Sequence, residues 1–116
     1  MRFLYLYRPQ QPERTTLPDP KEMAAMGALI QEMSKAGVLL ATEGCQPTSK
    51  GLKLRIDGSK FTVTDGPFPE TKELIAGFCM VQVKTKAEAI EWGKRFLQVV
   101  GTGESEIRLL HDMPAA

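Results

Sequence analysis

With 116 residues, of which 42% are hydrophobic and 25% charged, the chain has the make-up of one globular domain over 1–116, large enough for a core and too small for two. A net charge of +1 supplies no field that would recruit nucleic acid or an anionic membrane, so neither is an expected partner. A lone histidine and two distant cysteines exclude a structural zinc site, and nothing in the sequence indicates a cofactor.

The start, Met1 to Tyr7, is basic and then apolar, but Arg8-Pro9 ends the run short of signal-peptide length, and no stretch approaches a membrane span. A cytoplasmic chain with reduced Cys45 and Cys79 is expected. Residues 2 to 8 alternate Phe3, Tyr5 and Tyr7 with Leu4 and Leu6, so both faces of this strand are apolar and it belongs in the middle of a sheet. Pro9 to Pro18, proline-rich and without period, reads as a surface loop.

Asp19, Pro20 and Glu22 form a helix start with a capping box. Met23, Met26, Ile30 and Met33 then recur on one face beside Leu29, and Gly37 is placed to end the helix in the left-handed conformation. A methionine stripe at this spacing is core packing before it is a ligand pocket. Val38 to Thr42 reads as a short strand stopped by Glu43-Gly44, and Gln46 to Lys50 as a polar turn. Leu52, Leu54 and Ile56 alternate with charged residues and lead into a hairpin with one wet face. An Asp57-Gly58 turn would set Leu54 against Phe61, Leu52 against Val63 and Arg55 against Lys60; a loop including Ser59 would relieve that last, repulsive pair.

Asp65 to Glu73, with Pro67 and Pro69, is a stiff charged joint that can continue neither a helix nor a central strand. Leu74 to Val83 is apolar on both sides. Thr85 and Glu88 supply a second capping box, followed by a buried face of Ala89, Trp92, Phe96 and Val100 and a stop at Gly101; Ser105 to His111 is the last strand, ahead of a loose tail at Met113 to Ala116. Strand, helix, strand, hairpin, strand, helix, strand predicts an α+β fold: a ferredoxin-like antiparallel sheet with two helices on one face and an inserted β-hairpin. Two helices cover one side only. Because two strands are apolar on both sides, a homodimer packed sheet to sheet is expected.

Val63-Thr64-Asp65-Gly66-Pro67-Phe68, followed by Glu70, Lys72-Glu73 and Gly77-Phe78, resembles the signature of DGPF proteins, a branch of the YCII-related family. The likeness runs on through Gly37, Gly44, the hairpin, Ala89, Trp92 and Ile107-Arg108. It implies a ferredoxin-like domain in a dimeric α/β barrel. YCII-like proteins bring a histidine and an aspartate together in a dimer cleft, whereas the sole histidine here, His111, lies at the far end; Asp65 alone matches a family motif residue. DGPF proteins also resemble companions of extracytoplasmic-function sigma factors, which implies an indirect role in transcription.

Asp65 is therefore the candidate catalytic residue, as general base or orienting carboxylate, against the plainer reading of an Asx turn. Glu70, Lys72 and Glu73 are candidate ligand-binding groups, against a solvated charged loop, and Arg108 a candidate anion clamp, against a structural salt bridge. Tyr5 and Tyr7 are candidates to line a pocket between subunits or fill the interface, Cys45 is a reachable thiol, Cys79 is packing, and His111 is an exposed terminal side chain. The first expected function is a dimer binding a small polar molecule near the Asp65 loop, with acid-base chemistry there. The alternative is a non-enzymatic regulatory or interaction module linked to sigma-factor-dependent transcription.

Overall fold

In the computed structural model, which describes residues 1–10, 13, 17–68 and 74–112, strand β1 (Arg2–Pro9) lies between two others, as an element apolar on both faces must. The chain continues through α1 (Pro20–Lys35), β2 (Leu39–Gly44), a 3-10 turn (Thr48–Lys50), β3 (Leu52–Asp57), β4 (Lys60–Asp65), β5 (Gly77–Gln82), α2 (Lys86–Val100) and β6 (Gly103–Leu109). The main sheet runs β2-β5-β1-β6 with every pair antiparallel. Setting the β3–β4 hairpin aside, this is the strand order of a ferredoxin-like α+β sheet.

Alternation sorts the two faces. Phe3, Tyr5, Cys79 and Val81 point to the helices and close a core with Leu29, Met33, Val83 and Ala89, against which Trp92, Phe96 and Ile107 pack. Leu4, Leu6, Phe78 and Met80 turn to the opposite face, where they are half-buried. Tyr5 and Tyr7 are thus core side chains beneath the helices, so the structure corrects their assignment to a subunit interface. The Tyr5 hydroxyl donates to the Ala89 carbonyl at 2.7 Å, and Tyr7 meets Phe96 edge to face.

Both helix starts form as their residues dictate. Asp19 Oδ1 accepts from the Glu22 N–H at 2.7 Å and Thr85 Oγ1 from the Glu88 N–H at 3.1 Å, satisfying donors that a helix end leaves free. The Glu88 carboxylate reaches back to the Lys84 N–H rather than to the cap residue's own. Gly37 and Gly101 follow the helices at φ 72° and 90°. Met23 departs from the expected stripe: it is exposed, and the fully buried residues of α1 are Leu29 and Met33. Strand β2 also starts and ends later than expected, with a bulge between Leu39 and Ala41, so Glu43-Gly44 pairs with Phe78-Gly77 instead of stopping the strand.

The hairpin departs furthest. Its register pairs Leu54 with Val63, Ile56 with Phe61 and Asp57 with Lys60, so the loop is Gly58-Ser59 rather than Asp57-Gly58. Gly58 takes φ 61° and Ser59 a negative φ, the II′ arrangement that suits the twist of the strands. Arg55 now faces Thr62, and the repulsion with Lys60 is relieved. Both faces of the hairpin are exposed along its whole length, which corrects the expectation of one covered face.

Candidate functional site

The corner after β4 is made by three segments that meet there. The Gly66 N–H donates to the Gly51 carbonyl at 3.0 Å, and the Phe68 N–H donates to Thr48 Oγ1 at 3.1 Å. Thr48 is itself gripped from upstream: its N–H and its hydroxyl donate to the two carboxylate oxygens of Glu13, at 2.8 and 2.9 Å. The hydroxyl therefore both donates and accepts, using its donor and one lone pair. A methyl group on Gly66 would lie 1.7 Å from the Thr48 carbonyl oxygen, so only glycine lets the backbone approach this closely. The Gly66-Pro67 peptide is cis, and Lys53 Nζ sits 4.5 Å above the Phe68 ring, linking the hairpin to the corner.

Asp65 is the last residue of β4, in register with Leu52, and is exposed. Among the described residues its carboxylate forms no hydrogen bond and no ion pair, so no Asx turn holds the bend; backbone donors and Thr48 do. Glu70, Lys72 and Glu73 lie outside the described residues. Arg108 stands on β6, the edge strand three positions across the sheet from β2, or about 14 Å at the usual strand spacing. Its guanidinium donates to Glu106 Oε2 at 3.0 Å, while Arg8 donates to Glu106 Oε1 at 2.9 Å. The structure thus gives Arg108 a salt bridge on its own strand and does not bring it to Asp65 within one protomer. The hydrogen bond from Arg108, and then that from Arg8, holds the Glu106 carboxyl below its ordinary range.

The remaining candidates resolve plainly. Cys79 is buried, and burial pushes its thiol up to about 11, partly offset by a hydrogen bond with Thr42, which makes it inert packing. Cys45 is exposed. His111 is exposed, and its backbone carbonyl accepts from the Arg2 guanidinium. Among the described residues no cluster of carboxylate, cysteine and histidine side chains is arranged to hold a metal ion, and no helix is long and apolar enough to cross a membrane. Between the helices and the sheet a cavity of about 20 Å³ touches Tyr5, Met33, Cys79 and Trp92; it has room for about one water and not for a substrate.

Sequence reasoning missed Glu13 and Thr48. Pro47-Thr48 followed by Gly51 is a local sign of a hydroxyl-braced turn, but no pattern in the sequence joins it to a glutamate 35 residues upstream.

The model of the YCII-related domain matches residues 1–111. An uncharacterised protein of Rhizobium meliloti (strain 1021) is 30% identical over 93 residues, covering 79% of this chain and 75% of its own length. DGPF is another name for the same family, and the chain belongs to the YCII-related family.

Proposed function

We propose that the chain acts as a homodimer that binds a small polar molecule beside the Asp65 corner, with Asp65 taking or orienting a proton. The observation that carries this reading is an exposed carboxylate with no partner among the described residues, at the end of a corner whose backbone is held by Thr48, Gly51 and Glu13. A carboxylate on a fixed backbone loses little entropy on engaging a ligand, and the fold does not already use its lone pairs. Glu70, Lys72 and Glu73, which follow the corner in the sequence, are the candidate supporting charges. Arg108, whose salt bridge to Glu106 leaves two-thirds of its side chain exposed, is the candidate to hold an anionic group of the ligand once a second copy packs on the sheet face. The half-buried Leu4, Leu6, Phe78 and Met80 on that face support a second copy packed over it, as a face left to water would be polar.

The test is Asp65→Asn, which keeps the shape and hydrogen-bonding capacity of the side chain and removes its charge. Isotope-labelled protein is titrated with a panel of small polar metabolites and followed by amide chemical shifts. The expected result is ligand-induced shifts at residues 65–68 in the wild type, lost in the variant at unchanged melting temperature. A variant that melts early or loses self-association, with no shifts in either protein, would favour the non-enzymatic interaction module, in which the corner serves architecture alone.

A further inference from the structure

The β3–β4 hairpin is the largest feature that the corner's chemistry leaves unused. Its register gathers Leu52, Leu54, Ile56, Phe61 and Val63 onto one face, each between 58% and 64% exposed, while Lys53, Arg55, Thr62 and Thr64 occupy the other. Alternation this clean is the pattern of a strand pair with one covered face, yet no part of the described chain covers it. A two-stranded hairpin alone is marginal in water, and an apolar pair of open edges invites association.

We infer that the hairpin is a dimerisation arm, its apolar face packed against a second copy of this chain. The inference rests on the homodimer proposed above and assigns the surface that holds it. The area decides for a second copy. Five large side chains about three-fifths exposed offer on the order of 100 Å² apiece, or roughly 500 Å², near the upper end of the largest patch on an ordinary monomer. In an isologous pair the two arms together bury twice that, roughly 1,000 Å², the least a specific interface needs, and the uncovered sheet face, with Leu4, Leu6, Phe78 and Met80 half-buried on each copy, carries a second-copy interface into the usual range.

The arm also bears on the site. Asp65 follows Phe61 and Val63 at alternate positions of β4 and is paired with Leu52, so its carboxylate projects from the same face as the apolar stripe. When that face is covered, Asp65 stands at the rim of the seam, and a second copy forms a wall of its pocket. A ligand site there is incomplete in a single protomer.

The experiment is sedimentation of the full chain across a dilution series, with Leu54→Asp and Phe61→Asp on the stripe, Thr62→Asp on the wet face of the same hairpin, and Leu6→Asp on the uncovered sheet face. The expected result is a wild-type dimer, a weakening of self-association by about 100-fold or more in both stripe variants, and no change in Thr62→Asp. Unaltered far-UV dichroism shows that the body stays folded. Amide exchange in the wild type gives a second reading: protection of β3 and β4 should rise with protein concentration. Stripe variants that dimerise as tightly as the wild type, with hairpin amides that exchange fast at every concentration, overturn the arm; if Leu6→Asp alone then gives a monomer, the dimer stands without it. A wild-type chain that remains a monomer throughout overturns both the arm and the dimer.

Discussion

Strands β1 and β5 and strands β3 and β4 carry the same apolar alternation and meet opposite fates. Phe3, Tyr5, Cys79 and Val81 vanish beneath two helices, whereas Leu54, Ile56, Phe61 and Val63 stand in water. The difference is not in the strands. The capped, amphipathic helices α1 and α2 are joined to β1 and β5 and fold back over them, while the hairpin is entered from a 3-10 turn and left through a glycine-proline corner, with no described element of its own to cover it. An apolar stripe thus shows that a face will be covered but not which chain covers it.

The sharpest way to break that comparison is at the joint between the two regions. Gly66→Ala should cost roughly 3 kcal/mol or more in urea unfolding, or free the hairpin from the corner, since its methyl group cannot share space with the Thr48 carbonyl. Next, Val81→Ala in the fully buried β5 should cost about 2–3 kcal/mol, while Leu54→Ala in dilute protein should stay within about 0.5 kcal/mol. At concentrations where the chain is paired, burial of the stripe between copies should raise the cost of Leu54→Ala towards that of Val81→Ala, whereas a cost that stays small at every concentration would break the inference. Thr48→Val removes the acceptor of the Phe68 N–H and the hydroxyl's bond to Glu13 and should cost about 1–2 kcal/mol, with the loss in amide protection confined to residues 65–68.

The two regions also differ in their response to pH. Cys79 is raised by burial from 9.0 to about 11, and Tyr5 is raised in the same way. A group that stays protonated in the fold and ionises in the unfolded chain leaves stability intact below the unfolded value and removes it as pH rises towards the folded one. Stability should fall between about pH 9 and 11, and Cys79→Ala should flatten part of that fall. The hairpin contains neither a cysteine nor a tyrosine. The smallest effect is at the acid end, where Glu106 is depressed by its arginines. Its contribution is present above the unfolded carboxyl value and lost as pH drops through the folded one, but it is exposed and screened. Glu106→Gln should barely shift the acid limb of a melting curve.

Much of the architecture was legible because local physics and tertiary packing agree. Asp19-Pro20 and Thr85 announced their helices through donors that must be satisfied, and Leu4 and Leu6 between Phe3, Tyr5 and Tyr7 placed β1 at the centre of the sheet. Where two local solutions lay close in energy, only the folded chain chose. The hairpin turned at Gly58-Ser59 rather than Asp57-Gly58 because the left-handed glycine belongs at the first loop position and the shift separates Arg55 from Lys60. Tyr5 and Tyr7 were placeable on one face of a strand but not on the helix side of it, since two-sided hydrophobicity does not say which side the helices choose.

The amino-acid sequence by itself determined the order of elements, the caps, the central strands and the proline-braced corner, because each depends on residues a few positions apart. Only the tertiary structure decided that Glu13 holds Thr48 across 35 residues, that Arg108 is bound to Glu106, and that the hairpin's apolar face finds no cover among the described residues of its own chain. Contacts of that kind depend on where the whole backbone carries its side chains, and no local spacing encodes them.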